Sequence, residues 1–96
     1  HFQKSKNYKK RVIVIDAGHG GKDSGGIGNR IYEKNIVLPI AKYLRYQLTK
    51  MGYRVYLTRD RDKFITLKNR TKFANRKKAD LFISLHCNIA PKRPEV

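Results

Sequence analysis

The chain has 96 residues, enough for one compact unit with a modest core, and no apolar run long enough to span a bilayer. Lysine and arginine number 23 against 7 acids. The resulting formal charge of +16 favours a polyanionic partner such as nucleic acid, an anionic membrane or an acidic cell-wall polymer. A single cysteine, Cys87, excludes an internal disulfide framework.

Residues 1–10 carry Lys4, Lys6, Lys9 and Lys10 with little apolar content and read as a basic lead-in or linker. With no initiator methionine and no signal-peptide pattern, His1 is expected to begin an excised segment. Residues 11–96 form the folded unit. Val12-Ile13-Val14-Ile15 is a run of branched apolar residues, as in a parallel strand buried on both faces. It leads into Asp16-Ala17-Gly18-His19-Gly20-Gly21, and six of the seven glycines fall in residues 18–30, which predicts a long flexible loop. A loop of that length in a compact domain is usually functional or disordered.

A first helix is expected from a cap at Asn35 to a stop before Gly52, with Val37, Ile40, Ala41, Leu44, Leu48 and Met51 on its inward stripe. Pro39 is tolerable there only in the first turn. Residues 53–58 read as a second strand. Thr66 is the expected cap of a second helix reaching about Lys78, with Leu67, Phe73 and Ala74 inward and Lys68, Arg70, Lys72, Arg76, Lys77 and Lys78 making it very basic. Residues 81–85 form the third strand, followed directly by His86-Cys87-Asn88. Strands and helices alternate, so the expected class is α/β: a mostly parallel sheet flanked by helices, β-α-β-α-β, with right-handed crossovers.

In such a sheet every strand-to-helix loop emerges on one edge. His19 follows the first strand, His86 follows the third, and Glu33 closes the glycine loop just before the first helix. Two imidazoles and a carboxylate at one rim suit Zn²⁺ with a fourth position left for water. The plainer readings are a hydrogen-bonding loop histidine and a helix-start glutamate complementing the helix dipole. Asp16 reads as structural. Cys87 should point away from His86 if the strand continues, as a small buried residue.

Four stretches carry a resemblance: Ile15-Asp16-Ala17-Gly18-His19-Gly20-Gly21, Tyr32-Glu33-Lys34-Asn35, Leu57-Thr58-Arg59-Asp60 and Phe82-Ile83-Ser84-Leu85-His86-Cys87-Asn88. Together they resemble the zinc-dependent N-acetylmuramoyl-L-alanine amidases of bacterial cell walls, the amidase-3 type, in order from Arg11 to Ala90. The resemblance implies that His19, Glu33 and His86 are zinc ligands. It implies cleavage, through a zinc-activated water, of the amide between N-acetylmuramic acid and L-alanine of the stem peptide, with peptidoglycan as partner and a periplasmic or secreted location. Asn88 is the candidate substrate-binding residue, or else orients the loop after His86.

The family's general base is a glutamate on a later segment, and Glu95 follows His86 too closely to serve. Residues 11–96 are therefore expected to be the N-terminal part of a catalytic domain. The remaining segment of that domain is their expected partner, and these residues alone are expected to be inactive. Without that segment the third strand should expose an apolar edge.

Two rival readings stand. A basic nucleic-acid-binding module would use the charge, with Tyr8, Tyr32, Tyr43, Tyr46, Tyr53 and Tyr56 for stacking, although basic helix faces are usually only solvated. The expectation is no nucleic-acid partner. A non-catalytic relative could bind wall material without cleaving it, but it would have no need of an open metal position. The glycine spacing fits neither nucleotide-binding glycine motif.

Overall fold

The structure, a computed structural model, describes residues 10–89. Most of the basic lead-in, Tyr8 and Glu95 therefore lie outside the described residues. Within them the order is β1 (Val12–Ala17), β2 (Ile27–Gly28), β3 (Ile31–Tyr32), α1 (Glu33–Lys50), β4 (Arg54–Leu57), α2 (Leu67–Arg76) and β5 (Leu81–Leu85). β4, β1 and β5 form a parallel sheet in that order, with Ile15 level with Leu57 on one side and Ile83 on the other. The α/β expectation holds.

The central strand is the one whose residues are apolar on both sides. Ile13, Ile15 and Ala17 point to one face and pack with Val37 and Ala41 of α1, with Leu44, Leu48, Val55, Leu57, Ile83 and Leu85 around them. Val14 and Asp16 point to the other face, where α2 lies. The chain steps from β1 to β4 in one direction and from β4 across β1 to β5 in the other. Crossovers of constant hand therefore put α1 and α2 on opposite faces. The C-terminal ends of the adjacent strands β1 and β5 form the rim at which open α/β sheets hold ligands.

Several expectations need correction. The glycine stretch is not a featureless loop, because β2 and β3 pair as an antiparallel hairpin, Ile27 with Tyr32. Asn29 and Arg30 between them both have positive φ, 52° and 68°, the backbone of a type I′ turn. The hairpin also moves the start of α1. The Glu33 N–H donates to the Gly26 carbonyl and Lys34 N–H to that of Ser24. The first turn is thus satisfied by the loop, and no side-chain cap at Asn35 is needed. Pro39 consequently sits in the second turn rather than the first.

The inward stripe of α1 is rotated from expectation. Leu38 packs toward the core, whereas Ile40 is 50% exposed, and Met51, beyond the last helical residue, is 69% exposed. Thr66 caps α2 as expected, its side chain accepting from the Asn69 N–H at 3.1 Å. Leu67 stands exposed rather than inward, and Arg70, expected among the solvated cations, is 4% exposed. Tyr43 and Tyr46 are exposed on α1, while Tyr53 packs against the core. β5 forms one edge of the sheet, with Leu81 and Phe82 exposed on it.

Candidate metal centre

β1 is followed by Gly18 and His19, the latter in the left-handed region at φ 64°. From there its imidazole Nε2 lies 3.2 Å from Glu33 Oε2, at the first residue of α1. His86, one residue past β5, places Nδ1 3.1 Å from the same oxygen. The two rings stand nearly perpendicular with centroids 5.1 Å apart. One donor atom from each of His19, Glu33 and His86 thus falls within 4.8 Å of the others.

The donor set fits a small cation. Bonds of about 2.0–2.1 Å in a tetrahedron give donor separations of about 3.3–3.4 Å, close to what Glu33 Oε2 makes with both imidazoles. Each ring's other nitrogen is already engaged, Nδ1 of His19 with Asp23 Oδ2 at 2.9 Å and Nε2 of His86 with Ser84 Oγ at 3.1 Å. Metal-binding histidines characteristically carry such an outer partner, which holds the ring in place. Two glycines make room for the rings. A Cβ on Gly18 would lie 2.6 Å from His86 Cε1, and one on Gly25 2.5 Å from His19 Cδ2.

Glu33 is buried, which pushes its carboxyl up. The N–H groups of Gly26 and Cys87, followed by the two imidazoles, outweigh burial and leave it below its ordinary value. Asp23 is also held low, chiefly by its hydrogen bond to His19. The Glu33 side chain is 7% exposed and that of His86 54%, so the cluster is rooted in the protein and open on one side. A groove of roughly 380 Å³ lies beside the two imidazoles on the α2 side, lined by His19, Asp23, Phe64, Leu67, Ser84 and His86.

Two buried guanidinium groups hold the loop from beneath. Arg59 donates to the carbonyls of Ala17, Gly18 and Lys34, and Arg70 to those of Ala17 and His19. Arg70 also pairs with Asp16 at 2.6 Å, and Asp16 further accepts from Thr58 at 2.7 Å. Burial and then the charge of Arg70 push the Arg59 guanidinium below its ordinary value, with Asp62 and Asp16 opposing. These anchors were not assigned from the sequence, nor were Asp23 and Ser84. One signal was available: an acid inside a buried strand needs a paired cation. Asn88 is exposed and makes no side-chain hydrogen bond among the described residues. Cys87 turns to the α1 face and packs against the core, as strand alternation expects.

Fold and cluster define an α/β domain with a candidate metal centre at the C-terminal rim of its sheet. A family profile described as N-acetylmuramoyl-L-alanine amidase matches residues 13–95, and the chain belongs to that family. An endolysin of Bacillus phage SPP1 is 50% identical over 82 residues, covering 84% of this chain and 30% of that protein. The N-acetylmuramoyl-L-alanine amidase AmiA of Escherichia coli K12 is 49% identical over 80 residues, 82% of this chain and 28% of AmiA. The structure of the amidase AmiC2 of Nostoc punctiforme superposes with a TM-score of 0.83 at 44% identity, over 92% of this chain and 49% of that one. The chain thus spans under a third of these two curated relatives and about half of the solved AmiC2 chain.

Proposed function

We propose that this chain carries the zinc-binding part of a peptidoglycan hydrolase that cleaves the amide between N-acetylmuramic acid and L-alanine, acting in the cell envelope. The observation that supports this most is the convergence of His19 Nε2, Glu33 Oε2 and His86 Nδ1, within a family whose relatives carry the amidase name. Zn²⁺ held there would polarise the scissile carbonyl and lower the pKa of a bound water. His19 and His86 would supply neutral nitrogen donors and Glu33 the single anionic one. Asp23 and Ser84 would hold the rings, while Arg59 and Arg70 keep the loop carbonyls pointing away from the cation.

The proton of the attacking water needs a carboxylate acceptor. Asp16 is committed to Arg70, Glu33 to the ligand set and Asp23 to His19. Following the family resemblance, we place the general base on a later segment of the same domain and expect residues 11–96 to be inactive without it. Asn88, exposed two residues beyond His86, remains the proposed substrate contact. No described helix is long and apolar enough to cross a membrane. The basic surface suits anionic wall polymers, so binding to sacculi should weaken as salt rises.

The test is digestion of purified sacculi by a protein that joins residues 11–96 to the proposed later segment, before and after chelation and zinc return. Release of free stem peptides that stops on chelation and recovers with zinc is expected. Binding without release would instead favour a non-catalytic wall-binding relative. Zinc stoichiometry should fall from one per chain to near zero in His19→Ala, and an unchanged content would refute the ligand set.

A further inference from the structure

We infer that the foot of the sheet, at the opposite end of the strands from the metal centre, is a docking cleft for a linear phosphate-bearing polyanion. This deepens the reading of the basic surface as a binder of anionic wall polymers, on which it rests, and is independent of the zinc site. A cleft of roughly 950 Å³ opens there, lined by Lys10, Arg11, Arg54, Lys77 and Lys78, with Asp80 the one acid among its described lining residues. None of these cations forms a salt bridge among the described residues. Asp80 is already engaged: its Oδ2 accepts from the Val12 N–H at 2.7 Å, and its own N–H donates to the Val12 carbonyl. Like charges gathered without a counter-charge create a local field that a polyanion relieves.

The cations come from separate parts of the chain. Lys10 and Arg11 precede β1, Arg54 opens β4, and Lys77 and Lys78 follow α2. The carbonyl end of a helix draws cations by itself, which accounts for Lys77 and Lys78 but not for the other three. Lys77 Nζ stands 4.5 Å over the Tyr56 ring and 5.6 Å over that of Phe73, so its ammonium is placed before any ligand arrives. Lys78 has a φ of 55° at a helix stop where the N–H groups of Lys78 and Ala79 donate to the carbonyls of Asn75 and Ala74. Glycine is the ordinary residue at such a stop, so the lysine puts a charge in the cleft at the expense of backbone strain. The guanidinium forks of Arg11 and Arg54 match phosphate oxygens. No aromatic side chain lines the cleft among the described residues, so a nucleic acid would find charge there but no ring for its bases. At ~3.3 Å per residue, β1 sets the cleft about 17 Å from the rim, and a polymer docked there leaves the metal centre uncovered.

The test uses residues 1–96 joined to the proposed later segment and reads binding to long-chain inorganic polyphosphate at several salt concentrations; it needs no hydrolysis. The triple variant Arg54→Gln, Lys77→Gln, Lys78→Gln is compared with Lys42→Gln, Lys68→Gln, Lys72→Gln, which removes the same charge from exposed positions elsewhere on the two helices. The cleft triple should bind about 10–100-fold more weakly, with the slope of log K against log salt shallower by about 2–3, and the control triple should lose no more than about threefold. Lys78→Gly gives a second reading should the cleft triple fail to fold. Its melting temperature should hold or rise, because glycine relieves the backbone, while polyphosphate binding falls about threefold. Equal losses in the two triples overturn the cleft and leave only diffuse attraction to a basic surface. Absence of polyphosphate binding by wild type overturns that broader reading as well. A single-stranded oligonucleotide of matched phosphate number that binds far more tightly than polyphosphate overturns the partner class in favour of nucleic acid. Zinc content, measured alongside, should be the same in every variant, so failure of the metal centre is told apart from failure of the cleft.

Discussion

The two faces of the sheet are built on different chemistry. Toward α1 the strands present Ile13, Ile15 and Ala17 to Val37 and Ala41, an apolar contact that asks only for shape and volume. Toward α2 the same central strand presents Asp16 to Arg70, Thr58 and Ser84, a buried network in which every polar atom needs a defined partner. The apolar face seats α1, and with it Glu33 at the first helical residue, by packing alone. The polar face reaches the rim through Arg70 on the His19 carbonyl and through Ser84 on His86. A small loss of volume on the first, which leaves α1 seated, should cost stability alone, and loss of a partner on the second should cost stability and metal binding together.

The largest effect should come from Asp16→Ala, which strands Arg70 as an uncompensated buried charge. A loss of about 3–5 kcal/mol in urea unfolding is expected, with weaker zinc binding in whatever fraction stays folded. Adding Arg70→Met should recover part of that stability but not the zinc affinity. Gly18→Ala comes next: its methyl meets His86 Cε1, and strain of about 1–3 kcal/mol should accompany a clear drop in zinc affinity. Ile15→Val on the apolar face should cost about 0.5–1.5 kcal/mol and leave zinc titration unchanged. A changed zinc affinity there would break the contrast between the faces. Ile40→Gln, outside the rotated stripe of α1, should stay within about 0.5 kcal/mol of wild type.

The smallest expected effect is a pH dependence. Asp62 accepts from Lys34 Nζ at 2.9 Å and from the Gly21 N–H at 2.7 Å, and these bonds hold its carboxyl below the ordinary value of 3.8. A carboxyl lowered on folding contributes stability above its unfolded pKa and loses it as pH falls through its folded one. The stability difference between wild type and Asp62→Asn should thus be present near neutral pH and vanish in strong acid. Urea unfolding across that range measures it, and a difference that persists at low pH would assign the effect to packing.

Much of this was legible in the chain itself. A branched apolar run, a basic amphipathic helix behind Thr66 and a second apolar strand are local patterns, and each expresses a backbone preference or a burial requirement that needs no partner to be read. Alternation of strand and helix implied a parallel sheet, and a parallel sheet sends the residues after its strands to one edge. His19, Glu33 and His86 could be grouped on that ground alone.

What local pattern could not supply were relations between segments. The hairpin of β2 and β3 depends on two positive-φ residues that carry no Asn-Gly signature. It moved the start of α1 by filling the N–H groups that a capping side chain would have taken. Arg70 looked like one more solvated cation on a basic helix, because its partner Asp16 lies 54 residues away on a strand. Composition, periodicity and topology class were set by the sequence, since each follows from where apolar and turn-forming residues fall along the chain. Only the tertiary structure decided which nitrogen of each imidazole faces Glu33, and which buried guanidinium groups hold the loop. Those depend on register and on the opposite placement of the two helices, and through-space partners leave no periodic trace.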